Sequence, residues 1–210
     1  MSKTFAAVVL AAGASLASAQ VALIGNLPAP GASLSFGSQI NSSGAAKAYS
    51  FTMPAAGDDY FLETVDVAIT SFTAGDSVTF SIRADDGSLN PTGSTLGSVT
   101  VTSDGSTTEG IFSLDFAQSV TLEAGSLYWL RADLAAGSAS GIGWGRESPA
   151  VAPTGFIADT GGYRFRSSSN ANWGGSSVFN TFQINGSVVP TPGAAAILGL
   201  GGLAAARRRR

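Results

Sequence analysis

The chain has 210 residues and a formal net charge of −3, from 11 Lys+Arg against 14 Asp+Glu, and it contains neither Cys nor His. Without cysteine there is no disulfide framework, thiolate zinc site, iron–sulfur cluster or cysteine nucleophile; without histidine there is no Ser-His-Asp triad and no imidazole metal ligand or base. Charged residues make up 12 %, about half the usual share of roughly 25 %.

The charge is unevenly spread. Lys3 lies near one end and Arg207, Arg208, Arg209 and Arg210 close the other, while all 14 acids fall between Asp58 and Asp159. The body therefore sets Lys47, Arg83, Arg131, Arg146, Arg164 and Arg166 against those acids, a net charge of −8. Such a body repels phosphate backbones, so no nucleic-acid partner is expected.

In chain order, residues 1–19 read as a secretory signal peptide. Lys3 supplies the positive start, Phe5 to Leu16 an uncharged Ala/Val/Leu stretch, and Ala17-Ser18-Ala19 the small-x-small site that signal peptidase accepts, leaving Gln20 as the new N-terminus. The apolar stretch is shorter than the about 20 residues of a spanning helix. The competing reading is a buried core helix.

Residues 20–188 carry strand periodicity. Phe61, Glu63, Val65, Val67 and Ile69 alternate with polar or small neighbours, as do Val78, Phe80 and Ile82; Val99 and Val101; and Phe112, Leu114 and Phe116. Tyr49–Met53, Leu127–Ala132, Ile142–Trp144, Tyr163–Phe165 and Val178–Ile184 are further strand candidates. Gly/Asp/Ser clusters at 55–59, 74–76, 85–88, 104–106 and 123–125 punctuate them as turns. Leu23–Ser43 reads as a loose arm and Pro149–Ser177 as long loops around one strand. Nine or ten short strands predict an all-β antiparallel sandwich of jelly-roll type, flanked by the N-terminal signal helix and a short C-terminal apolar helix.

Leu122-Glu123-Ala124-Gly125-Ser126-Leu127-Tyr128-Trp129-Leu130 resembles a late-strand motif of bacterial choice-of-anchor surface domains. The stretch Phe80–Ser88 with Pro91 is similar to an earlier strand and loop of the same family. The resemblance implies architecture rather than chemistry.

The last segment, 189–210, has three ordered parts: Pro190-Thr191-Pro192-Gly193, the apolar run Ala194–Ala206, and the four arginines. Thirteen helical residues span about 20 Å, short of the roughly 30 Å hydrocarbon core, and the arginines stay cytoplasmic by the positive-inside rule. This order resembles the PEP-CTERM sorting signal of exosortase substrates, with Thr191 in place of the family's Glu. The leader makes signal peptidase one expected partner; the tail's resemblance implies an exosortase-like enzyme as another, with transient insertion in the inner membrane, a cut near the Pro motif, and release or attachment of the body at the cell surface. A plain C-terminal transmembrane tail is the competing reading.

Three kinds of site are candidates within the body. Trp173, Trp144 and Tyr163 are the aromatics for stacking sugar rings of an extracellular polysaccharide, Trp173 foremost in its polar loop, whereas Trp129 in an apolar strand reads as core. Asp85, Asp86 and Asn90, or Asp58 and Asp59, are weak calcium candidates that read better as turns. Glu63, Glu109, Glu123 and Glu147 are the carboxylates from which a glycosidase pair would be drawn. The expectation is an exported, non-catalytic surface or extracellular-matrix sandwich without a cofactor, with a carbohydrate-binding module second and a carboxylate-based glycosidase third.

Overall fold

The computed structural model describes residues 19–29, 32–40, 44–106, 109–135, 137–138 and 141–190. Residues 1–18 of the predicted leader and 191–210 of the predicted tail, with the helices expected there, lie outside the described residues. Among the described residues no helix is long and apolar enough to cross a membrane.

Thirteen strands occur among the described residues: β1 (Val21–Gly25), β2 (Leu34–Ile40), β3 (Ala46–Thr52), β4 (Tyr60–Ser71), β5 (Ser77–Ala84), β6 (Thr95–Thr102), β7 (Gly110–Leu122), β8 (Leu127–Leu134), β9 (Ile142–Glu147), β10 (Thr154–Gly155), β11 (Ala158–Arg166), β12 (Gly174–Gly175) and β13 (Phe182–Val188). They form two antiparallel sheets. The first runs β10-β1-β13-β4-β9-β2 with β7 also on β4; the second runs β12-β11-β3-β8-β5-β6. β4 is the spine of the first sheet: β13 pairs along Tyr60–Val67, β7 along Tyr60–Ile69, and β9 at Ile69 and Ser71. From β3 to β9 every connection changes sheet except the β5–β6 hairpin.

Period-two alternation gives each sheet one apolar face, and the two faces share a core. Leu62, Val65, Val67, Ile69, Leu114, Phe182 and Ile184 from the first sheet meet Tyr49, Phe51, Val78, Phe80, Ile82 and Leu130 from the second. Aromatic rings cross the gap, with Phe182 4.5 Å from Tyr49. Along one margin β6 lies against β7 so closely that a Cβ on Gly97 would come 2.5 Å from Val120 Cγ2.

All five predicted turn clusters fall between strands. Three readings change. Leu23–Ser43 is not a loose arm, because it holds β1, paired with β13, and β2, paired with β9. Pro149–Ser177 carries β10 and β12 besides β11. On β4 the inward side chains are Leu62, Val65, Val67 and Ile69 rather than Phe61, because the ladder skips between Leu62 and Thr64. Glu63 there stands opposite residues 116–119 of β7, where Ala117 and Gln118 have φ of 50° and 56°. A bulge reverses which side chains face inward, which strict alternation cannot anticipate.

Candidate functional site

The outer face of the second sheet gathers most of the body's arginines. On β8, Tyr128, Leu130 and Ala132 point into the core, which puts Trp129, Arg131 and Asp133 on the opposite face. The register sets Trp129 beside Arg83 on β5. It also brings Arg164 and Arg166 of β11 opposite Ala48 and Ala46 of β3, whose other neighbours are Arg131 and Asp133. Small residues on β3 leave room for long side chains from both flanking strands.

These side chains hold the β5–β6 loop, residues 85–94, against the sheet. Arg83 Nη1 donates to Gly93 O at 2.9 Å, Arg131 Nη1 to Pro91 O at 3.1 Å and Arg164 Nε to Leu89 O at 3.2 Å. Trp129, 1 % exposed, donates from Nε1 to Asp85 Oδ1 at 2.9 Å. It is buried, as expected, yet beneath this loop rather than between the sheets. Asp133 Oδ1 accepts from Arg131 at 2.6 Å and from Arg166 at 3.2 Å, one oxygen shared by two guanidiniums. Burial, and next the Arg131 charge, push Arg83 and Arg166 below the ordinary arginine range, with Asp133 acting in the opposite direction. The Nε atoms of Arg83, Arg131 and Arg166 are buried and meet no acceptor among the described residues.

The predicted sugar-stacking aromatics do not come together. Trp144 is fully buried, edge-on to Phe80, with Nε1 donating to Thr181 O at 3.0 Å. Tyr163 is 2 % exposed and packs 4.8 Å from Tyr49 and 5.2 Å from Phe179. Neither presents a face to solvent. Trp173 is half-buried, with the guanidinium carbons of Arg131 and Arg166 each 5.1 Å from its ring centroid. Its ring is engaged by cations rather than left open for a pyranose.

The acids serve turns and neighbouring strands. Asp85 Oδ2 accepts from Gly87 N at 2.8 Å, Asp86 Oδ1 from Ser88 N at 3.0 Å, and Asp86 Oδ2 from Thr92 Oγ1 at 2.6 Å. These are the side-chain caps of a turn. Hydrogen bonds from Ser88 and Thr92 hold the Asp86 carboxyl down at about 2. Asp58 and Asp59 are exposed, and Asp59 Oδ1 accepts from Ala124 N at 2.9 Å. No group of three Asp or Glu among the described residues is placed to hold a metal ion.

The four glutamates are dispersed: Glu63 on β4, Glu109 before β7, Glu123 after β7 and Glu147 at the end of β9. Glu63 shares a shallow depression of about 380 Å³ with Asp115. Both are engaged there, Glu63 Oε1 with Gln118 Nε2 at 3.1 Å and Asp115 Oδ1 with Ala117 N at 2.7 Å.

The predicted processing junctions meet at one corner of the first sheet. Val21, the second residue after the expected signal cleavage, pairs with Gly186 of β13, and Gln20 Nε2 donates to Thr64 Oγ1 at 2.9 Å. β13 ends at Val188 opposite Tyr60, and Val189 N donates to Asp59 O at 2.9 Å. The sorting-signal residues Thr191, Pro192, Gly193 and Arg207–Arg210, and Ala17 of the cleavage site, lie outside the described residues; Pro190 and Ala19 are at the limits.

Sequence reasoning missed the arginine face. Its signal was the two-residue spacing of Arg131 and Asp133 and of Arg164 and Arg166, which puts each pair on one side of a strand. Among known proteins no family model matches the chain, and no curated protein matches its sequence.

Proposed function

We propose that this chain is an exported display protein: a non-catalytic sandwich of jelly-roll type, delivered by a signal peptide and sorted to the cell surface or extracellular matrix through its PEP-CTERM-like tail. One observation carries the reading. The strands nearest the two predicted processing segments, β1 and β13, are adjacent and antiparallel, with Val21 opposite Gly186. Removal of residues 1–19 and of the segment beyond 189 therefore takes none of the thirteen described strands from either sheet. The jelly-roll reading is supported by the orders β1-β13-β4-β7 and β3-β8-β5-β6, which the chain fills by crossing between sheets with one hairpin, as two interlocked Greek keys require. The non-catalytic reading is supported by glutamates spread over separate elements.

Mass spectrometry of the protein recovered outside the cells that make it tests the proposal. The expected mature form begins at Gln20 and lacks Arg207–Arg210. An exported form that retains the arginine cluster overturns the sorting claim, and one that retains residues 1–19 overturns the signal peptide.

A further inference from the structure

At one end of the sandwich, β3, β11 and the segment leading to β13 enclose a pocket of about 370 Å³, within the range of small-ligand sites. Its feature is a buried amine. Lys47 alternates with Ala46 and Ala48, so it projects on the core side of β3 and is 4 % exposed. Its Nζ donates to the Ser176 hydroxyl. No acid lines the pocket, and no carboxylate pairs with Lys47 among the described residues. A buried ammonium with a neutral partner is costly unless something else supplies negative charge.

The other walls define what that something is. Phe165, the β-ladder partner of Lys47, is 45 % exposed and offers an aromatic face. Arg166 also borders the pocket, but its side chain projects to the opposite face of the sheet, where the guanidinium meets Asp133 and Trp173. Gln39 and Ser176 add polar groups able to meet hydroxyls. A cation at depth, an aromatic wall and hydrogen-bonding groups together match a ring that carries a carboxylate and hydroxyls.

The geometry points to a binding site for a hexuronate unit of an acidic polysaccharide, with Lys47 taking the carboxylate and Phe165 stacking on the sugar ring. The body's net charge of −8 opposes a polyanion at long range, so recognition is short-range and confined to this pocket. Burial holds the Lys47 amine at about 8; the Arg166 guanidinium on β11 is turned to the opposite face of the sheet, toward Asp133 and Trp173, while β2 contributes Gln39 and the β12–β13 segment Ser176. The site stands whether or not the tail is processed.

Isothermal titration of the purified full-length chain with glucuronate, oligogalacturonate, glucose and acetate tests the inference. The uronates are expected to bind at pH 7, glucose and acetate at least about tenfold more weakly, since each lacks one half of the recognition. Lys47→Met fills the buried volume without charge and lowers uronate affinity about tenfold or more; Phe165→Ser, at an exposed position, lowers it without affecting the fold. Wild-type affinity falls as pH rises through about 8. Equal affinity for glucose and glucuronate overturns the carboxylate assignment, and equal affinity for acetate overturns the sugar. Absence of uronate binding by folded wild-type protein overturns the site.

Discussion

The indole of Trp144 stands edge-on to the ring of Phe80, with centroids 5.4 Å apart and planes at 89°. Trp144 belongs to β9 of one sheet and Phe80 to β5 of the other, so this pair ties the layers together at a fully buried point. Trp144→Ala is expected to cost about 3–5 kcal/mol through lost burial and the cavity left behind. Trp144→Phe keeps most of the packing but removes the hydrogen bond to Thr181 O, and is expected to cost about 1–3 kcal/mol. Urea unfolding checks both, and a loss below about 1 kcal/mol for the alanine variant would show that the layers do not depend on this contact.

Asp133 is shared by two arginines on a half-buried face, with side chains of Arg131, Arg166 and Asp133 exposed by 11 %, 19 % and 28 %. Asp133→Asn leaves two guanidiniums close together without their common counter-charge. The expected loss is about 1–3 kcal/mol, above that of a surface pair and below that of a fully buried one. Because the group is partly exposed, the loss should shrink in 1 M salt. A loss that is the same at low and high salt would contradict the electrostatic account.

Gly37 in β2 approaches the neighbouring strand so closely that a Cβ there would lie 2.3 Å from Trp144 O and 2.8 Å from Asn180 Nδ2. The first obstacle is backbone and cannot rotate away. Gly37→Ala is expected to push β2 off β9 and cost about 1–3 kcal/mol. Hydrogen exchange should show faster exchange of β2 amides in this variant while β4 stays protected; unchanged β2 protection would refute the close approach.

Two groups set pH responses of the same sign in separate windows. Asp86 titrates at about 2 in the folded chain against 3.8 for an ordinary aspartate. Its folded pKa is depressed, so its turn-holding contribution is present above about pH 4 and lost as pH falls through about 2. The Ser88 amide signal should titrate with a midpoint near 2, and Asp86→Asn should abolish that step. Lys47 is lowered from 10.5 to about 8 by burial. Between those values the unfolded chain holds a proton that the folded chain does not, so this group makes stability rise with pH from about 8 to about 10.5. Lys47→Met should flatten that rise, and identical pH profiles in wild type and variant would show that the amine is not buried.

The strands easiest to read in the sequence are those whose two faces differ chemically. β5 alternates Val78, Phe80 and Ile82 with Thr79, Ser81 and Arg83, and its ends match expectation within about a residue or two. β1 and β2 were illegible because VALIG and LSFGSQI are short and lie near Pro and Gly; their strand character comes from β13 and β9, more than 100 residues away. The expected strand Val178–Ile184 begins only at Phe182, because Asn180 turns its amide to Trp144 O and Asn26 accepts from Phe182 N. The site fared similarly. Tryptophans stood out by type, yet type does not say which side of a sheet a residue occupies. Lys47 enters the sequence reading only as one of six body cations, and the fold shows that it projects inward beside Phe165.

The pairing of Val21 with Gly186 also fixes an orientation. The corner where both chain ends leave lies beside Tyr60, Leu122 and Val188, whereas Lys47 sits near the opposite end of the second sheet, at the start of β3. The seven residues of β3 extend about 20 Å. Under the proposed attachment through the tail, the sandwich would stand on the end that carries the 54–59 and 123–126 turns, with the Lys47 pocket at the far end.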